Sequence, residues 1–204
     1  MARSLLPWLH FRWRDTGEIH DIYINAHLLR GQQSFKNKSY REALADYEAA
    51  LAYPENLEVG KPYLAERDAE INYFIGTAWE AMGDVKEAQA FYQKSAAQKL
   101  ESAEIRYFQA LSLEKLGQGT QAAVLFDELL KSGREQLGSS VDLGYFAKFG
   151  TRRSEAARKA EAHYLMGLGL LGKNDRQEAK AEFKRVLELD PNHLRAGTQL
   201  SLLE

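Results

Sequence analysis

The side chains able to do chemistry are few, and their spacing argues against their acting together. Five histidines are present (His10, His20, His27, His163 and His193), and cysteine is absent. That removes disulfides, thiolate metal sites and a cysteine nucleophile. His27 and His163 occupy the same position of a recurring block, but three blocks apart. At about 8–10 Å per helix contact, three blocks amount to roughly 25–30 Å, far beyond metal bonds of about 2 Å. A polar layer between helices is the expected role of both. His10 and His20 meet only if the N-terminal segment happens to bring them together. Carboxylates are plentiful, but on helices they are mostly solvated. No glycine-rich phosphate loop opens a helix after a strand, and Gly167-Leu168-Gly169 reads as close helix packing. The expectation is a chain with no catalytic residue, no metal site and no cofactor.

Binding chemistry is better represented. Glu70, Glu104 and Glu161 each precede a tyrosine by three residues, Tyr73, Tyr107 and Tyr164. These pairs sit in blocks that recur as Ala69-Glu-Ile-Asn-Tyr-Phe74, Ala103-Glu-Ile-Arg-Tyr-Phe108 and Ala160-Glu-Ala-His-Tyr-Leu165, with a weaker copy at Ile24-Asn-Ala-His-Leu-Leu29. On a helix, residues at i, i+3, i+7 and i+10 share one face. From the second block position that face reads Asn25, Leu28, Gln32, Phe35, then Glu70, Tyr73, Thr77, Glu80. The later blocks add Glu104, Tyr107, Leu111, Glu114 and then Glu161, Tyr164, Leu168. Tyrosine offers flat apolar contact with a hydroxyl at small entropic cost and is enriched among binding hot spots. The glutamates predict an acidic groove that favours lysine or arginine on a ligand. Packing copied by duplication, with glutamate placed for the helix macrodipole, explains the same residues without a ligand.

The elements that position them follow from the period. Ala69 and Ala103 open blocks 34 residues apart, the spacing of a stacked repeat whose units bury their apolar faces only against neighbours. Seven residues into each block stands Gly31, Gly76, Ala110 or Gly167; nineteen in, Ala43, Ala88, Ala122 or Ala179; twenty-three in, Tyr47, Tyr92, Phe126 or Phe183. Small residues let two helices approach, and the aromatic fills the wedge beside them. Between them lie polar breaks, Lys36-Asn-Lys-Ser39, Gly83-Asp84, Gly117-Gln-Gly119 and Gly172-Lys-Asn-Asp175, suited to left-handed helix caps. Each unit reads as helix, short turn, antiparallel helix.

This pattern resembles the tetratricopeptide repeat: a small residue early in the first helix, alanine opening the second, an aromatic four residues later and a closing proline, here Pro191 and, one residue early, Pro54. The repeats cover about 24–59, 69–102, 103–130 and 160–192. The large apolar residue usual four positions into the first helix is replaced by His27, Asn72, Arg106 and His163. The late alanine of the second helix is kept as Ala50 but becomes Ser95, Leu129 and Val186. The resemblance implies an all-α, right-handed helical-hairpin solenoid with two insertions, about 55–68 and 131–153, and a closing helix over 193–204. Residues 1–23, with Trp8 and Trp13, are expected to form an aromatic strap over the first repeat. Ser154 is the expected N-cap of the helix reaching Leu171.

Composition sets the outer bounds. Lys plus Arg number 27 and Asp plus Glu 29, a net charge of −2 that gives no support for a nucleic-acid backbone binder. No stretch approaches the roughly 18 apolar residues of a membrane helix, and Leu5–Phe11, followed at once by Arg12 and Arg14, lacks a cleavage pattern. A cytoplasmic protein is the expectation. The function expected is non-catalytic: a protein-interaction module holding a peptide or partner helix in the tyrosine-lined groove, with no nucleic acid or membrane as partner. Relatives that bind free carboxylate tails use lysine, arginine and asparagine where this chain has Glu, Tyr and Leu, so that ligand class is not expected. The loop from Tyr53 to Tyr63, with the Tyr145-Phe-Ala-Lys-Phe-Gly150 segment, is similar to the C-terminal repeat region of large bacterial proteins bearing an upstream sugar-binding-like domain. The alternative is therefore an accessory or dimerisation region of such a carbohydrate-acting protein. Self-association through the N-terminal aromatics or the second insertion is a further expectation.

Overall fold

The computed structural model describes residues 9–54, 65–138 and 155–203, with side chains from residue 20 onward. Among the described residues there are nine helices and no strand. They are α1 (Leu9–Lys36), α2 (Tyr40–Ala50), α3 (Arg67–Ala81), α4 (Val85–Ala96), α5 (Ala103–Lys115), α6 (Gly119–Gly138), α7 (Glu155–Gly172), α8 (Arg176–Leu189) and α9 (Leu194–Leu203). The all-α hairpin fold read from the sequence is borne out. The chain divides into two compact units, Met1–Lys99 and Leu100–Glu204. In the first, α1 pairs with α2 and α3 with α4, and α3 packs on α2. In the second, α5 pairs with α6 and α7 with α8, while α7 also packs on both α6 and α5, and α9 on α8.

The turns inside the hairpins share one construction. Lys38, Gly83, Gly117 and Asn174 all have positive φ, at 64°, 86°, 76° and 63°. Each lies fourteen residues into its block. The amide that follows each one reaches back to the first helix: Ser39 to the Ser34 carbonyl, Asp84 to Trp79, Gln118 to Leu113 and Asp175 to Leu170, all at 2.8–3.0 Å. This is the left-handed cap that satisfies otherwise orphaned carbonyls at a helix end. Asp84 and Asp175 then open the second helices, accepting from the amides of Glu87 and Glu178 at 3.1 and 3.2 Å.

The repeat register holds in the packing. The four alanines Ala43, Ala88, Ala122 and Ala179 and the four aromatics Tyr47, Tyr92, Phe126 and Phe183 are all buried. A methyl added at Gly31, Gly76 or Gly167 would strike the ring of Tyr47, Tyr92 or Phe183 respectively. The early small residue is thus a seat for its own repeat's aromatic. Ser95 stands where alanine is usual, and its hydroxyl donates to the Ala69 carbonyl at 2.8 Å inside the core. Gly169 meets the Phe126 carbonyl and Leu130, and Gly133 meets the Ala162 carbonyl, which brings α6 and α7 backbone to backbone.

Several boundaries differ from those read in the sequence. Residues 9–23 are helical and continuous with the first repeat helix, because nothing in that stretch breaks α1. The second insertion begins inside a helix, since α6 runs on to Gly138 opposite the first turns of α7. Trp8, the side chain of Trp13, the loop over 55–64, Ser154 and the aromatic run over 143–149 lie outside the described residues and side chains. No helix among the described residues is long and apolar enough to cross a membrane.

Candidate functional site

In the first unit the expected face is built on α1 and α3. Leu28 is buried in the core with Ile24, Tyr47 and Ile75. Asn25 is half-buried and accepts from Arg67 Nη2 at 2.8 Å. The same guanidinium grips Glu70, with Nε at 3.0 Å and Nη2 at 2.9 Å from Oε2, and Nη1 reaches Asp21 at 3.2 Å. Glu70 is buried. Gln32 and Phe35 are half-buried, Phe35 lying 5.1 Å from the Tyr40 ring. Tyr73 is half-buried, Thr77 donates to the Phe74 carbonyl at 2.7 Å, and exposed Glu80 accepts from the Tyr92 hydroxyl at 2.6 Å. Burial, with the neighbouring Glu80 carboxylate, pushes the Tyr92 hydroxyl above its ordinary range.

In the second unit the corresponding residues lie on α5 and α7. Tyr107, Tyr164 and Leu168 are buried; Glu104, Leu111 and Glu161 are half-buried, and Glu114 is exposed. Glu104 is held by Arg195 of α9, and the His193 ring lies 4.7 Å from that of Tyr164.

This placement divides the residues of the groove read from the sequence between core and surface. Each tyrosine stands against its own repeat's aromatic: Tyr73 with Tyr92 at 6.0 Å, Tyr107 with Phe126 at 6.0 Å, Tyr164 with Phe183 at 5.9 Å. Tyr107 and Tyr164 are buried in these contacts, while Tyr73 is half-buried. Leu28 and Leu168 likewise belong to the core. The acidic character is offset from within, Glu70 by Arg67 and Glu104 by Arg195. Neither arginine is flagged by the repeat pattern, because Arg67 precedes its block and Arg195 lies beyond the last one.

The histidines do form a polar layer. His27 Nδ1 lies 3.1 Å from Asp46 Oδ1, and His163 Nδ1 lies 2.6 Å from Glu182 Oε2. Arg30 and Arg185 complete the two carboxylates. The hydrogen bonds from Arg30 hold the Asp46 carboxyl below its ordinary range, opposed in part by burial and aided by His27. In both hairpins the histidine precedes its carboxylate by nineteen residues, so a pairwise scan along the repeat period would have found them. The equivalent positions in the middle repeats are apolar, Phe91 and Leu125. His20 is stacked 3.8 Å from Tyr53, with Nε2 at 3.2 Å from the Ala52 carbonyl. No cluster of three or more metal-ligating side chains occurs among the described residues.

Known proteins match this chain locally in sequence and distantly among solved structures. Residues 160–193 match the tetratricopeptide repeat model. Among solved structures, MamA (residues 41 to the end) from Desulfovibrio magneticus RS-1 is 17% identical over 89% of this chain and 83% of its own, with a TM-score of 0.33. YrrB, described as a TPR protein with an unusual peptide-binding site, is 20% identical over 87% of this chain and 74% of its own, with a TM-score of 0.32. Scores this low leave the fold resting on the helices and their caps. The resemblance read from the sequence is thus met by a tetratricopeptide repeat match over α7 and α8, and the three earlier hairpins share the register of that matched segment.

Proposed function

We propose that this chain is a non-catalytic protein-interaction module that holds a peptide or partner helix on the first-helix face of its hairpins. In the first unit the contact surface is Gln32 and Phe35 of α1 with Tyr73, Thr77 and Glu80 of α3. One observation carries the reading: these five residues, on two neighbouring hairpins of a repeat fold, share the expected face and all retain solvent exposure. Phe35 and Tyr73 supply apolar and aromatic surface, while Gln32 and Glu80 supply polar ends. Stacked repeats offer such a surface because each hairpin presents the same helix to the same side. Glu80 in this surface favours a ligand carrying lysine or arginine.

A random-peptide display library selected on the full chain tests this. Enriched peptides should combine an apolar residue with a basic one. Removing the Tyr73 ring (Tyr73→Ala) should weaken their affinity by calorimetry about tenfold or more, as loss of a hot-spot aromatic does. No enrichment, or equal affinity for both proteins, would contradict the proposal.

A further inference from the structure

The second unit carries something the first does not: a separate helix whose basic residue sits on the face in question. Arg195, in the first turn of α9, pairs with Glu104 of α5, and His193 just before it stacks toward Tyr164 of α7. Glu104 is a half-buried position of the expected ligand face, and Tyr164 is a buried one packed on Phe183. An arginine on an amphipathic helix is also the chemistry expected of a ligand there. In the first unit the matching acidic position, Glu70, is served by Arg67 of α3 itself, which belongs to the hairpin and cannot leave it.

The attachment of α9 is slight. Ala196 is its one buried residue, whereas α7 buries Ala160, Ala162, Tyr164, Leu165, Gly167, Leu168 and Gly169. Leu194 and Leu202 are 51% and 54% exposed, while Leu200 and Leu203 are half-buried. The ion pair to Glu104 is part-buried, with about a fifth of each side chain in solvent, so water still reaches it. The helix is capped from its own flank, the Ala196 amide donating to His193 Nδ1 at 3.2 Å. A ten-residue helix held by so little apolar burial opens more readily than the hairpins beneath it.

We infer that α9, which packs along α8, is a displaceable element that holds Arg195 over the first-helix face of the second unit, in the place of an arginine-bearing amphipathic helix from a partner protein. Residues 190–193 tether it to α8, so its effective concentration is in the millimolar range and a partner must outcompete it. The inference rests on the first-helix face being a ligand face, but its test does not involve the surface around Tyr73.

The test supplies α9 in trans to the full chain. A fluorescein-labelled peptide of residues 190–204 is titrated by anisotropy against wild type and against Ala196→Glu, which puts a carboxylate into a fully buried site and ejects the helix. The opened variant should bind the peptide at least tenfold more tightly than wild type. Adding Glu104→Arg should abolish that gain, and a peptide carrying Arg195→Glu should recover it. If the opened variant keeps its helical circular dichroism yet binds no better than wild type, or ignores the charge reversal, the inference falls. Hydrogen exchange on unmodified protein guards against misfolding of the variant: α9 amides should exchange at least a hundredfold faster than those of α8. Equal protection would overturn the inference while leaving peptide capture at Tyr73 standing.

Discussion

His163 shows how a residue that looks chemical can be structural. Its partner Glu182 is buried at 3% exposure, so removing the imidazole alone leaves a carboxylate short of a partner. His163→Leu should lower stability by about 1–3 kcal/mol in urea unfolding, whereas His163→Leu with Glu182→Leu should lie close to wild type, since replacing both partners removes the polar debt. The middle repeats, with Phe91 and Leu125 at the carboxylate position, already take the apolar course. Asp46 adds a pH dependence of known sign. Its carboxyl is depressed in the folded state by the Arg30 hydrogen bonds, so the stabilisation it gives is present above the ordinary carboxylate pKa of about 4 and is lost as pH falls through the folded value. The stability gap between wild type and Asp46→Asn should therefore be largest near neutral pH and close progressively below about pH 4; a gap unchanged down to pH 2 would refute the pairing. Their shared register made the histidines legible in the sequence. Their partners recur nineteen residues on in both hairpins, but that recurrence gains its meaning only once the two helices are known to face each other.

Between residue and molecule stand the hairpins, and here the sequence was most informative. Small residues, alanines and aromatics at fixed offsets specified which helices touch and where, since a glycine seats its own repeat's aromatic in three hairpins. Substituting Ala88→Leu or Ala122→Leu should overpack the helix pair and cost about 1–3 kcal/mol; an unchanged denaturant midpoint would sink the register. The caps make the converse prediction. Lys38 and Asn174 adopt a left-handed conformation where the other two hairpins use Gly83 and Gly117. Lys38→Gly should stabilise the fold by about 1 kcal/mol, raising the thermal midpoint. Helix ends were less legible than helix pairing. The first helix continues back to Leu9 and α6 runs on to Gly138, because extension of a helix beyond its repeat leaves no mark on the repeat pattern.

On the scale of the whole molecule, each of the two units carries its own part of the proposed ligand face, and the parts differ in character. The part on α1 and α3 retains solvent exposure at Gln32, Phe35, Tyr73, Thr77 and Glu80, while the part on α5 and α7 lies partly under the N-terminal end of α9. A sequence stripe cannot distinguish these, because i, i+3, i+7 spacing reports only that residues share a helix face. Whether that face is open depends on side chains outside the stripe, Arg67 earlier on α3 and Arg195 from α9. The most direct test of the interaction module is a ¹⁵N-resolved NMR titration of the full chain with a library-selected peptide. The account predicts that the largest shift changes in the first unit fall on Gln32, Phe35, Tyr73, Thr77 and Glu80 of α1 and α3. Changes confined to the second helices α2 and α4 would contradict it.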